Sequence, residues 1–158
     1  MRRSPVLLFS LASCTTAFFL SGSASAAEFY VDPVNGSQGG DGSAQEPWQD
    51  LEQLIADGVF GATVKAGDTV WLLSGYHGAP ELAGGDYAPP ITLAAAPGQA
   101  PTASSVTFAG AKGWTLRGLS ISPSYGPAPT VGNIVLIDKA SARITVEDSQ
   151  LFSVTDSA

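Results

Sequence analysis

Three observations predict an all-β fold of the parallel β-solenoid kind. Two stretches, 106–121 and 136–151, look like copies of one unit set 30 residues apart. Trp114-Thr115-Leu116-Arg117 falls on Ile144-Thr145-Val146-Glu147, and Ile121 falls on Leu151. Short β units recurring at about 20–50 residues are the mark of solenoids and propellers. The remaining sequence is a run of short β-type segments divided by turn residues, with 18 glycines and 11 prolines and one clear helix signal. The only cysteine, Cys14, precedes the globular part, so no disulfide supports the fold.

The first 26 residues stand apart from the rest. Arg2 and Arg3 give a basic start, Val6 to Leu20 is mostly apolar, and Ala24-Ser25-Ala26 is a small-residue site before Ala27. These three features define a cleavable secretory signal, with cleavage expected between Ala26 and Ala27. A membrane anchor fits less well, because a spanning helix needs about 20 apolar residues and Ser10, Ser13, Thr15 and Thr16 dilute this run. Leu11-Ala12-Ser13-Cys14 resembles a lipobox, but lipidation at Cys14 would leave Ala17-Phe18-Phe19-Leu20 where a polar tether belongs. Arg2-Arg3 also suggests twin-arginine export, although the residues that follow fit that signal poorly. The expected product is secreted, extracellular or periplasmic, with no stable membrane span after cleavage.

Loss of Arg2 and Arg3 would take the formal charge from −7 to −9. That field argues against nucleic acid or an anionic membrane as a partner held by bulk charge. An anionic polymer would need local basic groups or a bridging cation. Residues 27–158 suffice for one domain.

Along that domain, Glu28-Phe29-Tyr30-Val31 reads as a strand stopped by Asp32-Pro33. The loop Asn35 to Ser43 has two readings, a calcium loop using Asp32, Asn35 and Asp41, or a tight turn in which Asn and Gly take positive φ. The turn is favoured, because the spacing and closing acid of an EF-hand are missing. Asn35-Gly36-Ser37 also matches the glycosylation sequon. Asp50 to Gly58 is the helix: Asp50 caps it, Gln53 completes a capping box, and Leu51, Leu54 and Ile55 share a face. Trp48 is expected in the core against that face. Thr69 to Leu73 is a dense strand whose Trp71 is expected to be packed, and Ser74 to Gly78 ends it. His77, the only histidine, sits in that turn without a recognisable partner and is weak evidence for catalysis. A Gly, Pro and Ala loop leads to the strand Ile91-Thr92-Leu93, closed by Ala96-Pro97-Gly98. In a solenoid like residues stack on like, so Arg117 is expected beside Glu147, an exposed pairing contributing about 0–1 kcal/mol.

Several of these motifs resemble the opening of secreted right-handed parallel β-helix proteins. They are Tyr30-Val31-Asp32, Asp41-Gly42-Ser43, Pro47-Trp48, Asp50-Leu51, Ala66-Gly67-Asp68-Thr69-Val70, Gly75-Tyr76, Pro90-Ile91-Thr92-Leu93, Ala96-Pro97-Gly98 and Trp114-Thr115-Leu116-Arg117-Gly118-Leu119. The chain is most similar in this respect to pectate lyases of polysaccharide lyase family nine, within a wider group of alginate-lyase and chondroitinase-B-like proteins. The resemblance implies a right-handed β-helix whose N-terminal portion carries a short capping helix, Asp50 to Gly58. It also implies β-elimination of an acidic polysaccharide such as pectate, with calcium or a cationic side chain neutralising the uronate carboxylate. The family's catalytic lysine and calcium aspartates belong to later coils, and no catalytic or metal residue matches a position here. Lys112, Lys139 and Asp138 are expected to be surface residues. Leu151-Phe152-Ser153-Val154 reads as the middle of a coil, so residues 27–158 are expected to be the cap and first coils of a longer protein.

Three functions compete. The parent protein is a polysaccharide lyase, of which this part alone is inactive. Or it is a noncatalytic carbohydrate-binding or surface β-helix, with Tyr125 or Tyr87 stacking on sugars, against the plainer reading of both as ordinary loop aromatics. Or the chain has no activity of its own. Fold alone does not decide among them.

Overall fold

The computed structural model describes residues 25–127 and 132–153. Cys14 and the apolar run of the signal sequence lie outside those residues. A leading strand β1 (Glu28–Val31) and helix α1 (Leu51–Ala56) come first. The first coil holds β2 (Thr69–Leu72), β3 (Gly75–Tyr76) and β4 (Glu81–Ala83). The second holds β5 (Asp86–Ala95), β6 (Pro101–Ala103) and β7 (Val106–Ala109). The third holds β8 (Lys112–Arg117), β9 (Ser120–Ile121) and β10 (Val135–Asp138), and β11 (Ala142–Glu147) and β12 (Gln150–Leu151) begin another. Three parallel sheets result, in the orders β1-β2-β5-β8-β11, β10-β7-β4 and β12-β9-β6-β3. This is a parallel β-solenoid of about three turns, all-β in character.

Alternation along each strand decides which side chains face inward. In the first sheet the inner columns are Phe29–Val70–Leu93–Leu116–Val146 and Ile91–Trp114–Ile144. Leu82 and Phe108 face in from the second sheet, and Ala103 and Ile121 from the third. Val70, Leu93, Phe108, Leu116 and Ile121 are all at most 1% exposed. The register Trp114/Ile144, Thr115/Thr145, Leu116/Val146, Arg117/Glu147 and Ile121/Leu151 is the alignment read from the sequence. The repeat in fact begins earlier, since Thr69, Thr92 and Thr115 already share one register.

The coil turns at corners that need positive φ. Gly113 (φ 75°) and Gly118 (φ 77°) hold two of them, and a Cβ on Gly113 would run into the Tyr87 carbonyl. One coil on, the same register positions are Arg143 (φ 54°) and Asp148 (φ 49°), side chains held in the left-handed region that glycine takes freely. Two serines also bond back across a coil: Ser141 Oγ accepts from the Ala111 amide at 3.0 Å and Ser149 Oγ from the Leu119 amide at 3.2 Å. They satisfy corner amides that no strand ladder reaches.

α1 is where the sequence places it. Asp50 Oδ1 accepts from the amides of Glu52 (2.9 Å) and Gln53 (3.1 Å), and Gly58 ends the turn in the left-handed region. The capping box is only half made: Gln53 Nε2 donates to Asp57 Oδ1 at 2.8 Å instead of reaching back to Asp50. Leu51 and Leu54 are buried in the solenoid core and Ile55 packs at its margin. Glu52 Oε1 accepts from the Ala79 amide, tying the helix to the loop before β4. Trp48 is buried and stacks on Phe29 with ring centroids 5.2 Å apart.

Three sequence readings need correction. Ser74 to Gly78 does not simply end a strand, because Gly75–Tyr76 opens the third sheet by pairing with Pro101 and Thr102. The Gly, Pro and Ala loop before Ile91 contains β4 and the first half of β5. Strands of two or three residues carry too little alternation to be seen locally. Trp71 is not packed inside: β2 alternates with Val70 and Leu72 inward, so Trp71 faces out, half-buried.

Candidate functional site: the outer face of the first sheet

Inward alternation fixes an outer face with two columns. One is Glu28–Thr69–Thr92–Thr115–Thr145, a ladder of hydroxyls below a single acid. The other is Tyr30–Trp71–Ala94–Arg117–Glu147. Successive members lie one strand spacing apart, about 4.8 Å. Trp71 and Arg117 lean toward one another across Ala94, with the guanidinium 6.0 Å from the indole centroid. Ala94, although it points outward, is 0% exposed beneath them. The small residue between two large ones is what lets them meet.

The electrostatics of the column follow from its neighbours. Arg117 lies 3.9 Å from Glu147, as the repeat implied, and both side chains are more than two-fifths exposed. Such a pair is screened and contributes about 0–1 kcal/mol. A cation over an indole adds about 0.5–1 kcal/mol at an exposed site. Tyr30 Oη donates to Glu28 Oε2 at 3.4 Å. Partial desolvation first, and then the Glu28 charge and hydrogen bond, raise the Tyr30 phenol above its usual range. The face is therefore aromatic and hydroxylic, with one cation already engaged by an acid.

The other candidate residues are placed as follows. Ala26 and Ala27 are both exposed, and the Ala27 amide donates to the buried Asp68 carboxylate at 2.8 Å. Asp32 accepts from the amides of Val34 and Asn35 through Oδ1 and from Asn35 Nδ2 through Oδ2. Desolvation pushes Asp32 up, but these bonds outweigh it and hold the acid below its usual range. Asp41 accepts from the Ser43 amide. Both oxygens of Asp32 are spent on the turn, so Asp32, Asn35 and Asp41 do not fit as a calcium loop. Among the described residues no group of three His, Cys, Asp or Glu side chains is arranged for a metal.

His77 is only 4% exposed and lies inward, beside the column of Ala103 and Ile121. Its Nε2 donates to the Leu73 carbonyl at 2.8 Å, which leaves Nδ1 as an acceptor with no partner. Burial pushes its pKa down, against the opposing pull of the Leu73 bond and the Asp32 and Asp50 charges. It is a core residue held neutral. Lys112 is half-buried at the start of β8, and Asp138 and Lys139 are exposed, and none has a neighbour that marks it as base or ligand. Tyr87 packs edge-on against buried Trp114 at 5.3 Å and belongs to the core margin. Tyr125 remains at the surface, 36% exposed. The structure thus brings Arg117, Glu147 and Trp71 together and leaves the other sequence candidates apart. That Trp71 and Tyr30 face outward was not read from the sequence, although strict alternation with Val70 and Phe29 was the available signal; both are half-buried there.

No family model, no curated protein and no solved structure matches the chain in searches of each. Among the described residues, no helix is long and apolar enough to cross a membrane.

Proposed function

We propose that this solenoid is a carbohydrate-binding surface of a secreted protein, docking an extended polysaccharide along the outer face of the first sheet. The observation that carries the reading is Trp71, an indole held outward by strand alternation and propped by Arg117 beside a threonine ladder. An outward-facing, half-buried aromatic offers an apolar plane to the C–H face of a sugar ring, and the hydroxyl column offers donors and acceptors for sugar hydroxyls. A parallel sheet repeats these groups once per coil, which suits a polymer with a repeating unit. The test is electrophoresis of the protein through gels cast with pectate, alginate, xylan, glucomannan or cellulose derivatives. Retardation by at least one polymer, reduced about tenfold in apparent affinity by Trp71→Ala (a loss of about 1.4 kcal/mol), is the expected result. Free migration through every gel would overturn the reading.

A second reading is β-elimination of an acidic polysaccharide by a protein of which these coils are a part. Arg117 favours it, as a cation on the same face that would exchange its exposed contact with Glu147 for a uronate carboxylate. Its assay is the appearance of unsaturated uronate from polygalacturonate, with and without added calcium. Absence of that product would end the lyase reading while leaving the binding reading intact.

A further inference from the structure

We propose that a second site, a cleft on the outer face of the third sheet beside Tyr125, binds an uncharged sugar ring. The third sheet presents the outward column Tyr76–Thr102–Ser120–Gln150, made wholly of hydroxyl and amide side chains. Beside it lies a cleft of about 350 Å³ whose lining includes Gln99, Thr102, Ser120, Tyr125, Asp148 and Gln150. That volume falls at the lower end of the range for small-molecule sites, about 300–1,000 Å³.

The wall of the cleft is fixed in place. Tyr125 ends a 3-10 turn, Pro123–Tyr125, whose start is capped by Ser122 Oγ accepting from the Ser124 amide. Its ring meets Phe152 edge-on at 5.7 Å, and its hydroxyl lies 2.9 Å from Ser120 Oγ. A tyrosine so held has little rotamer freedom left to lose when a ligand stacks on it.

The cleft offers both donors and acceptors, some of them without a partner among the described residues. Gln99 Oε1 accepts from the Ser74 amide and hydroxyl, and its Nε2 donates to nothing among the described residues. The side chains of Asp148 and Gln150 make no hydrogen bond among those residues either. Two amide donors, one amide acceptor and one carboxylate therefore surround an aromatic plane. Sugar hydroxyls donate to Asp148 and accept from Gln99 and Gln150, which is how donor-acceptor groups are satisfied in pairs. The only charge lining the cleft is Asp148, in a chain of net charge −7. A uronate or phosphate would meet repulsion here with no cation in the cleft to offset it. Asp148 also takes φ 49° at a corner where the preceding coil has Gly118, so the acid stands where glycine fits the backbone better.

The inference rests on the carbohydrate reading above but uses different residues and a different sheet. The protein is titrated by calorimetry and amide NMR with cellohexaose, mannohexaose, xylohexaose and oligogalacturonate. The expected result is that at least one neutral probe binds and shifts the amides of Ser120, Asp148 and Gln150. Tyr125→Ala is expected to weaken that binding about tenfold, and Gln150→Ala about threefold, each step within the 0.5–1.5 kcal/mol of one neutral hydrogen bond or stacked contact. Tyr125→Phe retains the ring and is expected to retain most of the affinity, which separates stacking from loss of the Ser120 bond. Urea midpoints of the variants exclude misfolding as the cause. Neutral binding that Tyr125→Ala and Gln150→Ala leave unchanged, but Trp71→Ala abolishes, would overturn the cleft and keep the first-sheet reading. So would binding of oligogalacturonate alone. No binding by any probe would overturn the cleft, while the polysaccharide gels decide the first-sheet reading separately.

Discussion

The expected cleavage after Ala26 changes the chemistry of one hydrogen bond. In the uncut chain the Ala27 amide donates to Asp68 Oδ1 at 2.8 Å, and Thr69 donates to the Ala27 carbonyl at 2.9 Å, so Ala27 is docked at both of its backbone groups. Asp68 is 6% exposed, and its other oxygen accepts from the Lys65 amide at 2.7 Å. Hydrolysis of the Ala26–Ala27 bond replaces the neutral amide with an ammonium group at the same place. The bond to the carboxylate is already charge-assisted in the uncut chain, because its acceptor is ionised, so the ammonium adds the attraction of an ion pair at an exposed terminus, about 0–1 kcal/mol. The mature chain should then be more stable than one carrying extra residues before Ala27 by up to about 1 kcal/mol. Urea unfolding of the Ala27-initiated protein and of a form extended by the native Ser25-Ala26 measures the difference. Asp68→Asn removes the charge but retains an acceptor, and in that background the two forms should unfold together. Equal midpoints with Asp68 intact, or an undiminished gap in Asp68→Asn, would refute the argument.

Three further outcomes follow from the same geometry. Gly113→Ala and Gly98→Ala both place a methyl at positive φ, costing about 1–2 kcal/mol, but only Gly113 also faces a backbone carbonyl, that of Tyr87, while Gly98 faces open space. Overpacking adds about 1–3 kcal/mol, so the Gly113 variant should have the clearly lower urea midpoint, and equal midpoints would contradict the corner assignment. Asp50→Ala removes the cap of α1 and should cost about 1 kcal/mol by the same assay. His77 is a base whose folded pKa lies below its ordinary 6.5, so the unfolded chain takes up the proton first. Its contribution is complete above pH 6.5 and is lost as pH falls from there toward the folded value. His77→Gln should flatten the stability profile over that interval, and an unchanged slope would show another group to be responsible.

What could be read from the sequence depended on how many residues carried each pattern. The units around Trp114 and Ile144 align over six residues, long enough for period and register to emerge, and the Arg117–Glu147 contact follows from them. β3 and β4 have two and three residues, so their membership in sheets shows only through partners 26 residues on, Pro101 and Thr107. The corners were hidden for another reason. Gly113 and Gly118 announce positive φ, but Arg143 and Asp148 hold the same conformation without the residue that advertises it. Only the stacking of one coil on another, through the Ser141 and Ser149 bonds and the strand ladders, over-determines the backbone there.

The misplacement of Trp71 has the most bearing on function. A tryptophan in Thr69-Val70-Trp71-Leu72 suggests core by composition, yet Val70 and Leu72 already claim the inner face and are 0% exposed. Period two then leaves Trp71 no choice but the outside. Its neighbour one coil on is Ala94, too small to cover it, and the next is Arg117, long enough to reach across. An aromatic at the second register position, a gap at the third and a cation at the fourth is a pattern written across three strands, invisible within any one of them. Replacing Ala94 with Leu would fill that gap from the outer side without touching the core column of Leu93. It should part Arg117 from Trp71 and, on the proposed function, weaken polysaccharide retardation, at an overpacking cost of about 1–3 kcal/mol in urea unfolding, because Ala94 is itself 0% exposed beneath the two side chains. Retardation unchanged by Ala94→Leu, with Trp71→Ala still damaging, would show that the indole acts without its prop.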